Sequence, residues 1–139
     1  MPKDLVETRL KQARVARLAT ADAEGRPHVV PVCFVYERGT FYIALDLKPK
    51  NTAPEGLARV CNIRANPQVA LVIDEYSDDW EKLWYILVRG RAEILADRRE
   101  DEVCGLLKEK YPPYANGLLL EDAPLIRIRP SRIISWGRL

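Results

Sequence analysis

Cysteine, histidine and long apolar runs are all scarce in this chain of 139 residues. The three cysteines, Cys33, Cys61 and Cys104, are far apart and odd in number. They form no CxxC and no Cys/His zinc spacing, which argues against a disulfide framework and against a metal site. Each is expected to be a small buried hydrophobe. His28 is the sole histidine. No Ser, Asp and His triad can be assembled around it, and Cys33 has no second histidine to activate it as a nucleophile. No stretch approaches the roughly 18 apolar residues of a membrane span, so no membrane partner is expected. The opening Met1-Pro-Lys-Asp-Leu-Val-Glu-Thr-Arg9 is charged and lacks the apolar centre of a secretory signal, so a cytoplasmic location is the expectation. An excess of one charge is missing too. The net charge of +2 is too small to argue for nucleic acid, and the basic residues are scattered rather than gathered on one helix. There is no internal repeat and no low-complexity linker.

What remains is ordinary for a soluble globular protein: 47% hydrophobic and 30% charged residues. The length fits a single domain over residues 1–139. Leu5, Val6, Leu10 and Ala13 recur at helical spacing. Val15 to Thr20 alternates weakly, and a turn-rich connector follows to Pro27. His28 to Tyr36 reads as one continuous strand buried on both faces, with Pro31 at an edge or bulge because it cannot donate to a ladder. Glu37-Arg-Gly-Thr40 predicts a tight hairpin into a strand over Phe41 to Leu45. Pro54 to Ala65 reads as a helix, stopped by Asn66-Pro67. Gln68 to Tyr76 is a further strand, and Ser77 to Lys82 a loop.

Leu83 to Leu95 predicts a long strand, with Trp84, Ile86, Val88, Gly90, Ala92 and Ile94 on one face. Tyr85, Leu87, Arg89, Arg91 and Glu93 fall on the other, which is wet or at an interface. At ~43 Å if straight, this strand must bend, and Gly90 is the natural place. Asp97 and Glu100 form a capping-box-like start for a helix through about Lys110, stopped at Tyr111-Pro-Pro-Tyr114. Leu125–Arg129 and Arg132–Trp136 read as two short closing segments. The fold class is therefore mainly β: a small antiparallel barrel with peripheral helices.

The segment with most chemical content is Phe41-Tyr-Ile-Ala-Leu-Asp-Leu-Lys-Pro-Lys-Asn-Thr52. A short strand runs into Lys48 and Lys50, held apart by a proline that limits loop flexing. Asn51 and Thr52 then open a helical segment. Ammonium groups beside free N–H groups at a helix start make an anion site. The competing reading is a solvated lysine loop.

Taken in order, Gly-Arg-Pro-His-Val-Val-Pro-Val-Cys-Phe, Phe-Tyr-Ile-Ala, Lys-Pro-Lys, Asn-Pro-Gln-Val-Ala-Leu-Val and Val-Arg-Gly-Arg-Ala-Glu-Ile resemble one known pattern. It is that of the FMN-binding split-barrel superfamily of pyridoxamine 5′-phosphate oxidase-like proteins. Asp-Leu-Lys-Pro-Lys-Asn-Thr and Tyr-Ser-Asp-Asp-Trp-Glu-Lys-Leu-Trp are similar to a branch of probable deazaflavin-dependent oxidoreductases. The resemblance spans about Val15 to Trp136. It implies an antiparallel split β-barrel and a homodimer with cofactor in grooves between subunits. That cofactor would be FMN or the deazaflavin coenzyme F-420. On the matching positions, Lys48, Lys50, Asn51, Thr52 and Arg59 would hold its phosphate or acidic tail. Val30, Pro31, Val32 and Cys33 would lie along the ring, and Trp84 and Tyr85 would approach from the other subunit.

The implied activity is hydride transfer to or from a small organic substrate, with no catalytic residue assigned. The alternative is a non-catalytic FMN or haem carrier of the same fold. True pyridoxamine phosphate oxidases bind substrate through an arginine and a histidine near the C-terminus. This tail has Arg132, Trp136 and Arg138 but no histidine.

Some residues keep two readings. Trp80 is either packing or a cover over a planar ring. Trp84, on the apolar face, is either core or a wall on the substrate side. Arg59 is either a phosphate ligand or a solvated helix residue. His28 is either a surface side chain or a proton-transfer group.

Overall fold

The structure is a computed structural model that describes residues 3–45, 57–95, 101–118 and 123–139. Its order is α1 (Lys3–Gln12), β1 (Ala16–Ala21), β2 (Pro27–Val32), β3 (Val35–Glu37), β4 (Thr40–Ala44), α2 (Ala58–Ala65), β5 (Gln68–Glu75), β6 (Trp84–Leu95), α3 (Asp101–Lys110) and β7 (Leu125–Gly137). Every ladder is antiparallel. The seven strands form one sheet in the order β2-β1-β5-β6-β7-β4-β3.

That order dictates the shape. β2 and β3 are the two edges of the sheet, yet only Cys33 and Phe34 separate them in sequence. A flat sheet of this width would put its edges about 29 Å apart. The chain from Val32 to Val35 can span at most about 11 Å. The sheet must therefore curl until its edges meet at Phe34. No ladder joins β2 to β3, so the barrel closes at a seam without hydrogen-bonded strands there. It is a split barrel, as the sequence leads one to expect.

Local chemistry makes the turns. Asp22 accepts from the backbone N–H of Glu24 and of Arg26, both at 2.9 Å, and so shapes the β1–β2 connection. Arg38 and Gly39 both have positive φ, 51° and 79°, the geometry that matches a two-residue hairpin to strand twist. Asp79 accepts from Glu81 N–H at 3.2 Å and starts the short 3₁₀ turn Trp80–Lys82.

The alternation of β6 is realised: Trp84, Ile86, Val88, Gly90 and Ala92 are buried and Tyr85, Arg89, Arg91 and Glu93 exposed. Its ladder with β7 shifts register between Arg89 and Gly90. A Cβ on Gly90 would lie 2.7 Å from the Arg129 carbonyl oxygen, so only glycine lets β7 approach here. The main core lies on the inner face, with Leu10 of α1 and Val60 and Ile63 of α2. A second core packs Val103, Cys104 and Leu107 of α3 against Val35, Ala44 and Leu125.

Four expectations need correction. His28 to Tyr36 is not one doubly buried strand. It breaks at Cys33–Phe34, and β2 is an edge strand whose residues are mostly exposed or half-buried. Pro31 is tolerated because it sits on that edge. The helix expected from Pro54 begins only at Ala58, since Leu57 is extended (φ −71°, ψ 139°); Pro54 itself lies outside the described residues. Leu125–Arg129 and Arg132–Trp136 are one strand, β7, because Pro130 falls opposite Gly90 at the register shift. Of the cysteines, Cys104 is buried, Cys33 half-buried and Cys61 exposed. The expected cap at Asp97 and Glu100 is outside the described residues.

Candidate functional site

Lys48, Lys50, Asn51 and Thr52 lie outside the described residues. The other expected site residues fall on four elements. Val30 and Val32 point inward, opposite Leu18 and Ala16, while Pro31 points outward opposite Arg17. Among the described residues β2 is outermost and one row of its backbone groups has no ladder partner, which suits hydrogen bonding along the edge of a planar ring. Arg59 is half-buried on α2, the helix that packs on β1 and β6. Beside it, Asn62 Nδ2 donates to Thr20 Oγ1 at 3.0 Å. Thr20 faces His28 across the ladder, and His28 Nδ1 is buried without a hydrogen-bond partner among the described residues.

Trp84 is 5% exposed in the main core, with the Arg9 guanidinium 4.8 Å from its ring centroid. Tyr85 emerges on the open outer face and stacks on Trp136, with centroids 5.6 Å apart and planes at 21°. Trp80 is 72% exposed on its 3₁₀ turn. Within one protomer the two halves of the expected site stay apart. β1 and β5 intervene between Pro31 and Tyr85, about 14 Å at normal strand spacing.

The seam beside Cys33 holds a polar cluster that sequence reasoning missed. Phe34 N–H donates to the Tyr111 hydroxyl at 3.0 Å. That hydroxyl lies 2.8 Å from the Arg14 carbonyl oxygen and 3.0 Å from that of Phe34. The Lys110 ammonium donates to the same Phe34 carbonyl at 2.9 Å and sits 4.2 Å from the Phe34 ring centroid. Burial, helped by the Arg14 guanidinium, lowers the Lys110 pKa to about 8, against an opposing pull from Cys33. Burial pushes Tyr111 up to about 12. Lys110, Lys11, Tyr36 and Glu109 border a cavity of about 340 Å³. Nothing in Lys110-Tyr111-Pro-Pro beyond its helix-stop pattern signals this role, because Phe34 is 77 residues away.

Residues 2–137 match the pyridoxamine 5′-phosphate oxidase family. The chain belongs to that family. Its relatives include a 5a,11a-dehydrotetracycline/5a,11a-dehydrooxytetracycline reductase of Streptomyces rimosus, 31% identical over 133 residues, 94% of this chain and 79% of the relative. Among solved structures the family fold recurs in a conserved hypothetical protein of Mycobacterium tuberculosis, with a TM-score of 0.80, 19% identity and coverage of 99% and 85% of the two chains. It recurs in the haem storage protein HutZ of Vibrio cholerae, with a TM-score of 0.73, 20% identity and coverage of 97% and 93%. A protein described as an F420 reductase gives a TM-score of 0.66 at 23% identity, with coverage of 92% and 94%. At these identities the three structures speak for the fold alone. Among the described residues of this family member, no helix is long and apolar enough to cross a membrane.

Proposed function

We propose that this protein is a flavin- or deazaflavin-dependent oxidoreductase that passes a hydride to or from a small organic substrate, working as a homodimer. The observation that carries this reading is the 31% identity, over 94% of the chain, to a reductase. The cofactor, when bound, supplies the hydride chemistry, and the protein supplies orientation and electrostatics. Lys48, Lys50, Asn51, Thr52 and Arg59 hold its phosphate or acidic tail. The free edge of β2 at Val30 to Cys33 hydrogen-bonds the ring edge. Trp80 covers the ring, and Tyr85, stacked on Trp136, shapes the substrate side, while Trp84 stays in the core on the opposite face of β6.

The outer face supports the dimer. Pro31, Val72, Leu87 and Ile134 lie in one row across the sheet, interrupted only by Arg17. Val29 is 64% exposed and Trp136 51%. Exposed apolar surface of this kind marks an interface. Pairing two such faces brings the β2 edge of one protomer near Tyr85 of the other, which one protomer alone keeps apart.

The test is anaerobic titration with FMN and with coenzyme F-420, followed by turnover of the loaded protein. The dehydrotetracycline reduced by the relative is the first substrate to assay. Sedimentation should give a dimer at micromolar concentration. A cofactor-loaded monomer removes the shared-groove arrangement. Robust peroxide formation from FMN and pyridoxamine phosphate under air replaces the reading with an oxidase. The carrier reading draws on the fold shared with a haem storage protein; a bound chromophore that no substrate oxidises or reduces would favour it.

A further inference from the structure

The outer face of the sheet from β1 to β7 carries Arg17, Arg89, Arg91, Arg127, Arg129 and Arg132 against only Asp74 and Glu93. Both acids are taken. Arg17 donates to Asp74 at 2.9 Å, and Arg127 Nε donates to Glu93 at 2.8 Å. Arg89, Arg91, Arg129 and Arg132 are all exposed, and none of them forms an ion pair among the described residues.

These four are set against one another. Arg89 lies opposite Arg132, and Arg91 opposite Arg129. Directly opposed side chains on antiparallel strands have Cβ atoms about 4.5–5.5 Å apart, and like charges there destabilise the pair. The arrangement depends on the bulge. Gly90 pairs with Pro130 and Arg89 with Arg132, so Ser131 is the extra residue. Three positions apart on a regular strand, Arg129 and Arg132 would point to opposite faces. The inserted residue reverses the alternation and brings both to the outer face. Ser131 Oγ donates to the Arg89 carbonyl at 3.1 Å and ties the bulge to β6. Arg89, Arg91 and Ser131 border a groove of about 650 Å³ floored by the small Ala19 and Ala70, and Arg129 and Arg132 stand on β7 beside it.

We propose that Arg89, Arg91, Arg129 and Arg132 form a binding site for a small oligoanion, a ligand with two or more neighbouring phosphate or carboxylate groups. A guanidinium presents a planar fork that matches either group bidentately. Four of them on one patch ask for more than one such group. A bound oligoanion turns the mutual repulsion into attraction. None of the four is among the residues assigned to the cofactor, but Arg89 and Arg132 share the outer face with Leu87 and Ile134, so the proposal rests on this part of the face staying open in the proposed dimer.

Inorganic tripolyphosphate and triglutamate serve as probes in calorimetry and thermal melting at low salt. Both should bind and raise the melting temperature, and the tighter one identifies the natural chemistry. Arg89→Gln/Arg132→Gln and, separately, Arg91→Gln/Arg129→Gln should each weaken binding roughly tenfold or more. Without ligand these variants should melt no lower than the wild type. Arg64→Gln, an exposed arginine at the end of α2, should bind as the wild type does. No binding of either probe at millimolar concentration overturns the proposal. So does an equal loss in Arg64→Gln, which would indicate net charge alone. Displacement of the probe by FMN or by coenzyme F-420, whose acidic tail is itself an oligoanion, would assign the patch to the cofactor site. A double variant that sediments as monomer where the wild type is a dimer would assign the arginines to acids of a second protomer.

Discussion

Removing one oxygen tests how the barrel is closed. In Tyr111→Phe the ring keeps its place in the second core, where it is 7% exposed and in edge contact with Tyr114. Only the hydroxyl is lost. A hydroxyl has one proton, so it donates to one carbonyl at a time while accepting from Phe34 N–H. The Phe34 carbonyl keeps the Lys110 ammonium at 2.9 Å. The Arg14 carbonyl is at the rim and can turn to water, for about 0.5–1 kcal/mol. Phe34 is fully buried, so its N–H is left without an acceptor, at about 1–3 kcal/mol. The total is about 1.5–4 kcal/mol. For a chain of this size that lowers the melting temperature by roughly 5–16 °C. Urea unfolding followed by circular dichroism measures the loss directly, and an unchanged m-value confirms that the same surface unfolds. Because Phe34 follows the proposed ring-binding strand, FMN or F-420 affinity should fall as well. A loss below about 0.5 kcal/mol at constant m refutes the reasoning: apolar packing alone would then hold the seam.

Gly90→Ala should cost about 1–2 kcal/mol, since the new Cβ meets the Arg129 backbone at 2.7 Å and the entropy gain offsets only part of the strain; thermal melting checks this. Lys110 releases its proton near pH 8 when folded, against an ordinary 10.5, so the unfolded chain holds more protons between those values and this group makes stability rise with pH there. Wild-type stability should therefore climb relative to Lys110→Met from pH 7.5 to 9.5; a constant difference would remove the buried-amine account. Tyr111 acts in the opposite sense only above about pH 10, where the unfolded phenol ionises first. Lys50→Ala should weaken cofactor binding by about 1.5–3 kcal/mol, and unchanged calorimetric affinity for both FMN and F-420 would take that lysine out of the site. Trp80→Ala should lower turnover more than melting temperature, as expected for a side chain that is 72% exposed; a large melting loss would make it a packing residue.

Signals carried by neighbouring residues were legible in the chain. The alternation of β6, its irregularity at Gly90, the Arg38-Gly39 hairpin and the stop at Asn66-Pro67 each follow from side-chain period or backbone restriction within a few positions. The ordered motifs also pointed to the family. Which strand is an edge is a different kind of property. The apolar run from His28 reads as buried, yet β2 is mostly exposed or half-buried, an edge beyond which no described strand pairs. Pro130 reads as a break, yet β7 continues because Gly90 stands opposite. The same holds for the sites. Tyr85 was recognised by its position, but its partner Trp136 is 51 residues away. The four opposed arginines become one patch only through the β6–β7 register and the extra residue at Ser131. Tyr111 meets Phe34 only because the sheet curls shut. Period and turn chemistry are local and survive in a single sequence. Register, edges and closure are pairings between distant segments, and only the folded sheet decides them.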